Sequence, residues 1–259
     1  MKEKLTIALV QAGLQWENIK VNLRHMDNLL VNSSEGADMI ILPEMFSTGF
    51  TMNVKEVAEP MDGLAVEWMK SKAKEFNAVI TGSLIIHEDG QYFNRLIWAA
   101  PGQIDYYDKR HLFRMQGENK YYSPGKEKRI FTYHGWRICP MICYDLRFPV
   151  WSRNRREYDF LFYVANWPAK RNRIWDILLP ARAIENQVYV AGVNRVGKDG
   201  MGIEYTGNSC LINPKGEEML SADTAQEDVL IKDIDFSELE RFRKKFPVGE
   251  DADNFEIRI

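Results

Sequence analysis

Short apolar runs of strand length alternate along this chain with segments whose apolar residues recur at helical spacing. Residues 5–10 form a buried-strand run, and residues 22–30 carry Leu23, Met26, Leu29 and Leu30 on one helical face. Residues 37–42 read as a second strand, which Pro43 ends abruptly, throwing the chain into an irregular loop over residues 44–53. The spacing predicts a helix over residues 64–76, then strands over 78–86 and 93–99 joined by the Asp89-Gly90 turn. Beyond a Pro101-Gly102 turn and a strand at 104–107, residues 109–125 show no period and are long for a loop in a compact domain, which marks them as functional or disordered.

A hairpin across His134-Gly135 is predicted from residues 129–133 and 136–142, and its second strand runs straight into Cys143 and a helix from about Pro149. Strands at 160–165, 188–193, 208–213 and 229–234, a helix marked by Ile174, Ile177, Leu178, Ala181 and Ile184, and a charged helix from Ser237 complete the pattern. There is no linker-like stretch, repeat or low-complexity tract, so residues 1–259 read as one α/β domain. The alternation favours a doubly wound parallel sheet, but the mid-chain hairpins do not fit it, and periodicity leaves the architecture open.

Composition narrows the function classes. Lys plus Arg total 34 against 37 Asp plus Glu, and a net charge of −3 argues against a polyanionic partner such as nucleic acid. The basic run Arg153, Arg155 and Arg156 is broken by Asn154 and Glu157 and reads as a solvated helix face. No apolar stretch is long enough for a signal peptide or a membrane span, and Cys139, Cys143 and Cys210 are an odd set of thiols suited to a reducing compartment, so a cytoplasmic location is expected. Those cysteines and the scattered His25, His87, His111 and His134 have no zinc-ligand spacing, so no metal and no other cofactor is expected.

Cys143 stands where a strand meets a helix, and there the helix dipole and free N–H groups favour a thiolate. Read alone, it is equally a buried core cysteine. Glu44 and Lys109 fall at two other strand ends, each followed by irregular chain, and a carboxylate there can accept the thiol proton. Either is an ordinary surface charge when taken singly.

Together the residues resemble a family. Leu42-Pro-Glu-Met-Phe46, Tyr107-Asp-Lys-Arg-His-Leu-Phe113 and Ile142-Cys-Tyr-Asp-Leu-Arg-Phe-Pro149 look like the three blocks that carry the Glu, Lys and Cys of the nitrilase superfamily of carbon-nitrogen hydrolases. The stretches at residues 45–50, 148–154, 163–168, 181–186 and 193–196 look most like its bacterial omega-amidase branch. Glu118 matches by position the family's second glutamate, with Glu127 the other nearby candidate. The resemblance implies a four-layer α-β-β-α sandwich, a homodimer, and hydrolysis of a small-molecule amide through a cysteine thioester.

On that reading Glu44 is the base, Cys143 the nucleophile, and Lys109 with the backbone N–H of Tyr144 compensates the oxyanion, while Glu118 positions the amide and holds Lys109. The resemblance implies monoamides of short 2-oxo dicarboxylic acids as substrates, chiefly 2-oxoglutaramate, and their far carboxylate calls for a guanidinium. Arg147, Arg173, Arg110 and Arg114 all lie in or near the blocks, and for Arg147 a structural ion pair is an equal alternative. Asn166 and Trp167 are expected to line the pocket, Trp167 being equally a core residue. A nitrilase, an N-carbamoyl hydrolase or an aliphatic amidase would share this chemistry, and a redox-sensing thiol protein is the non-enzymatic alternative.

Overall fold

The alternation in the first strand decides where the layers go. The computed structural model describes residues 2–31 and 36–258. Leu5, Ile7 and Leu9 point to one side of that strand and Ala8 and Val10 to the other, and every one of them is fully buried, so the strand needs a cover on both faces.

The chain runs β1 (Lys4–Gln11), α1 (Ile19–Leu30), β2 (Met39–Ile41), α2 (Val54–Val57), α3 (Leu64–Phe76), β3 (Val79–Glu88), β4 (Gln91–Ala100), β5 (Gln103–Asp108), β6 (Phe131–Tyr133) and β7 (Trp136–Ile142). It continues through α4 (Pro149–Ser152), β8 (Phe160–Ala165), α5 (Asn172–Asn186), β9 (Tyr189–Asn194), β10 (Val196–Lys198), β11 (Glu204–Thr206), β12 (Cys210–Ile212), β13 (Glu218–Ser221), β14 (Asp228–Asp235) and α6 (Phe236–Lys245).

Two six-stranded sheets result, ordered β14-β1-β2-β3-β4-β5 and β13-β12-β9-β8-β7-β6. Leu5, Ile7, Leu9, Trp98 and Tyr107 of the first sheet pack against Trp136, Ile138 and Met141 of the second. On the outer face of the first sheet, Ala8, Val10 and Ile80 meet Leu23 and Met26 of α1 and Val66 and Met69 of α3. Trp175, Leu179 and Ala183 bring α5 into the core of the second sheet. The layers are therefore α-β-β-α, as the resemblance implied.

Each sheet has three parallel strands at its centre, β1-β2-β3 and β7-β8-β9, and the hairpins that disturbed the simple alternation form the edges: β3-β4-β5 in one sheet, β6-β7 in the other. Two antiparallel steps from β3 to β5 make those two strands point the same way. The chain thus leaves β2, β5, β7 and β8 in directions that allow their carboxyl ends to converge, which is where ligands bind in such sheets.

The helix expected from about Pro149 starts there but is short. Cys143 is followed not by a long helix but by a 3-10 turn, Cys143–Arg147, and then by the four residues of α4. Pro149 sits at the first position of α4, where its missing N–H is harmless, but Arg153 is already extended, so the segment has no helix long enough for a substantial dipole.

Candidate active site

Glu44 follows β2, Lys109 follows β5 directly, Cys143 follows β7 directly and Asn166 follows β8 directly. The long loop after β5 folds into two 3-10 turns, and the second, Glu118–Lys120, brings Glu118 back to its starting point. Glu127, the other candidate, pairs with Arg129 at the surface and takes no part.

Glu44 and Glu118 are fully buried, and the Lys109 ammonium lies between them. Lys109 Nζ is 2.9 Å from Glu44 Oε1, and 3.0 and 3.1 Å from Glu118 Oε1 and Oε2. An ammonium has three N–H donors; one given to Glu44 and one shared by the two Glu118 oxygens would leave the third for the pocket. Burial works against the ammonium, yet Glu118 and Glu44 outweigh it and hold its pKa above the ordinary lysine value. Burial pushes Glu118 up, against the pull of Lys109, and Glu44 pushes it further.

Glu44 is held on both oxygens. Oε1 accepts from Lys109 and from Asn94 Nδ2 at 2.7 Å, and Oε2 accepts from the backbone N–H of Asn166 at 2.8 Å. Asn166 also donates its side-chain amide to the carbonyl of Glu44, which fastens the end of β8 to the end of β2 across the two sheets.

Cys143 lies on the pocket wall, partly exposed, with φ of 44°, the left-handed region that a non-glycine residue enters at a cost. Burial raises its thiol pKa well above the ordinary value, the Glu44 charge raises it further, and Lys109 opposes both. Burial and charge thus work against the thiolate that a helix end was expected to favour. Desolvation is the larger cause, and the two carboxylates set against one ammonium add to it by disfavouring a further negative charge on sulfur.

A clasp joins the lysine block to the cysteine block. Asp145, fully buried, accepts from the Tyr107 hydroxyl at 2.7 Å, from the N–H of His111 at 2.9 Å and from the N–H of Ile142 at 3.1 Å, with the His111 ring Nδ1 at 2.8 Å. Tyr107 and His111 flank Lys109 in sequence and Ile142 and Asp145 flank Cys143, so one carboxylate sets the spacing of the two.

The pocket in front of Cys143 has Phe50, Phe113, Tyr144, Trp167 and Pro168 as apolar walls. Trp167 is at once core and wall: it is buried against Trp175 and still faces the pocket. Arg147 and Arg171 reach the same pocket. Neither guanidinium forms an ion pair among the described residues, Arg147 resting over Trp167 and Arg171 over Phe113. The structural ion pair weighed for Arg147 is thus absent among them. Arg110 and Arg114 line a separate surface hollow, and Arg173 is exposed on α5.

The sequence model of the carbon-nitrogen hydrolase family matches residues 6–244. The chain belongs to the carbon-nitrogen hydrolases. This hydrolase is 47% identical over 254 residues to omega-amidase YafV of Escherichia coli strain K12, with 98% of each chain covered. It is 33% identical to the 2-oxoglutaramate amidase of Bacillus subtilis strain 168, over 96% of this chain and 97% of that one. Its fold superposes on a CN-hydrolase superfamily protein of Xanthomonas campestris, solved with an arsenic adduct in its active site, with a TM-score of 0.97, 41% identity, and coverage of 99% and 100% of the two chains.

Sequence reasoning missed Arg171, Asn94 and Asp145. Arg171 carries no block signature, Asn94 sits inside a strand, and Asp145 reads as a helix-start acid. No candidate metal cluster of three or more His, Cys, Asp or Glu occurs among the described residues, and none of their helices is long and apolar enough to cross a membrane.

Proposed function

We propose that this hydrolase is an omega-amidase that converts the terminal carboxamide of short 2-oxo dicarboxylic acid monoamides, 2-oxoglutaramate foremost and 2-oxosuccinamate next, to the 2-oxo acid and ammonia. The observation that carries the substrate class is the pair of guanidiniums without a carboxylate, Arg147 and Arg171, in the same pocket as Cys143. A free carboxylate on the substrate satisfies them, and the short apolar walls suit a short carbon chain. The names of the Escherichia coli and Bacillus subtilis relatives agree with this reading.

Glu44 takes the Cys143 proton as the sulfur attacks the amide carbon, so that the charge of the buried cluster stays constant. The oxyanion is met by the third N–H of Lys109 and by the N–H of Tyr144, an early N–H of the 3-10 turn. Protonated Glu44 delivers its proton to the amide nitrogen, the C–N bond breaks and ammonia leaves, with a thioester on Cys143. Glu44 then deprotonates a water, whose oxygen attacks the thioester carbon. Collapse releases the acid and returns the proton to sulfur. Glu118 holds Lys109 and orients the amide, while Asn166 and Trp167 form the wall beside it.

A thiol held neutral speaks against redox sensing, which needs a low thiol pKa. We further propose that residues 1–259 act as one domain, in a homodimer located in the cytoplasm, in keeping with three free cysteines.

The test is ammonia release from 2-oxoglutaramate, 2-oxosuccinamate, glutamine, a carbamoyl amino acid and a simple nitrile, side by side with Cys143→Ala. The first two substrates should dominate, folded Cys143→Ala should release nothing, and Arg147→Met with Arg171→Met should raise KM for 2-oxoglutaramate about 10-fold or more. Selectivity confined to nitriles or carbamoyl compounds overturns the substrate class.

A further inference from the structure

Behind the two glutamates runs a polar chain to which the reaction steps above assign nothing. Ser83 lies on β3, where it pairs with Leu96, and Asn94 lies diagonally across on β4, where it pairs with Ile85; both are buried. The backbone N–H of Met45 donates to Ser83 Oγ at 2.9 Å, and Ser83 Oγ donates to Asn94 Oδ1 at 2.8 Å. Asn94 Nδ2 then donates to Glu44 Oε1 at 2.7 Å and to Glu118 Oε1 at 3.2 Å. The amide can be turned no other way: reversed, its oxygen would face two carboxylates, and Ser83 already uses its hydroxyl proton on it.

A carboxylate oxygen offers two lone pairs. Glu44 Oε1 fills both, with Lys109 at 2.9 Å and Asn94 at 2.7 Å, whereas Oε2 has one donor, the N–H of Asn166 at 2.8 Å. Resting on the amidase reading, we infer that Asn94, held by Ser83, is a positioning residue that saturates Glu44 Oε1 and makes Oε2 the oxygen that receives the Cys143 proton. It also gives both glutamates a neutral donor, so that one lysine suffices for two acids.

The groups facing Glu44 are Lys109 from the end of β5, Glu118 from the following loop, Cys143 from the end of β7, and the Tyr122 phenol, which donates to the carbonyl of Thr51. Lys109 keeps its charge throughout the working range and Tyr122 its proton, since burial pushes the phenol well above its ordinary value. Loss of the Asn94 donor therefore removes a hydrogen bond that both glutamates accept, one that favours a charged carboxylate over a neutral one.

The experiment compares Asn94→Ala and Ser83→Ala with the wild type in two pH profiles: kcat/KM for 2-oxoglutaramate, and the rate at which iodoacetamide alkylates Cys143, which needs the same proton transfer but no particular substrate. Asn94→Ala should move the acidic limb of both upward by about one pH unit and lower kcat by ~10-fold or more with KM within ~3-fold. Ser83→Ala, which removes only what orients the amide, should shift both limbs the same way by less. Unmoved limbs in folded Asn94→Ala overturn the inference. Should Asn94→Ala not fold, unmoved limbs in Ser83→Ala overturn it equally. A wild type that shows the alkylation limb but releases no ammonia from 2-oxoglutaramate removes the substrate reading, and the alkylation profiles of the two variants still decide the role of Asn94.

Discussion

Replacing Lys109 with Met tests whether the buried cluster is balanced as described. Met keeps the length and apolar stem of the side chain but removes the ammonium, and the net charge goes from one negative to two while Glu44 and Glu118, both 0% exposed, stay face to face. Taking one partner from a buried ion pair costs about 3–5 kcal/mol because the other charge is stranded. At roughly 2 °C per kcal/mol for a chain of this length, Tm should fall by about 6–10 °C near neutral pH. The stranded Glu118 carboxylate responds by holding a proton, which raises its folded-state pKa further than burial already does. Groups raised in this way bind protons on folding, so they contribute stability at low pH and lose it as pH rises. The deficit should thus be largest near about pH 8 and shrink toward about pH 5. Thermal unfolding followed by circular dichroism across that range measures it. A deficit below about 2 °C, or one independent of pH, would refute the account of Lys109 as the charge that holds the two glutamates.

Two further outcomes follow from the site. Thiolate ultraviolet absorbance that depends on Cys143, obtained by subtracting Cys143→Ser, should be missing until pH exceeds the ordinary cysteine value of about 8.5, because burial and Glu44 raise this thiol; a thiolate signal at about pH 6 would restore the dipole-activated picture. Asp145→Asn keeps the shape of the clasp but loses its charge, and kcat should drop ~10- to 100-fold with KM changing far less, since Lys109 and Cys143 lose their common anchor; unchanged kcat in the folded variant would show that the clasp does not set their spacing.

The elements were legible because burial imposes periodicity. Residues 64–76 carry the helical spacing of α3, and its bounds agree with the sequence pattern, since Ala65, Val66, Met69 and Ala73 are the buried stripe. The hairpins were legible from turn chemistry, Asp89-Gly90 and His134-Gly135 both adopting positive φ. The helix after Cys143 was legible in its start at Pro149 but not in its length, on which a proline after a strand says nothing; Arg153 turns extended within one turn of it.

By itself, then, the sequence placed the candidate residues: Pro43 puts Glu44 at a strand end, and Lys109 and Cys143 stand in blocks that resemble those of the family. It determined neither the pairing of the two sheets nor the state of the thiol. Those depend on contacts between residues far apart in the chain, as between Glu44 and Asn166 or Tyr107 and Asp145, and hydrophobic periodicity carries no information about such partners. Local sequence suggested a thiolate favoured by a helix end; the folded chain instead buries Cys143 beside two carboxylates and one ammonium, and that burial, with the excess of negative charge visible only once the strand ends converge, raises the thiol pKa.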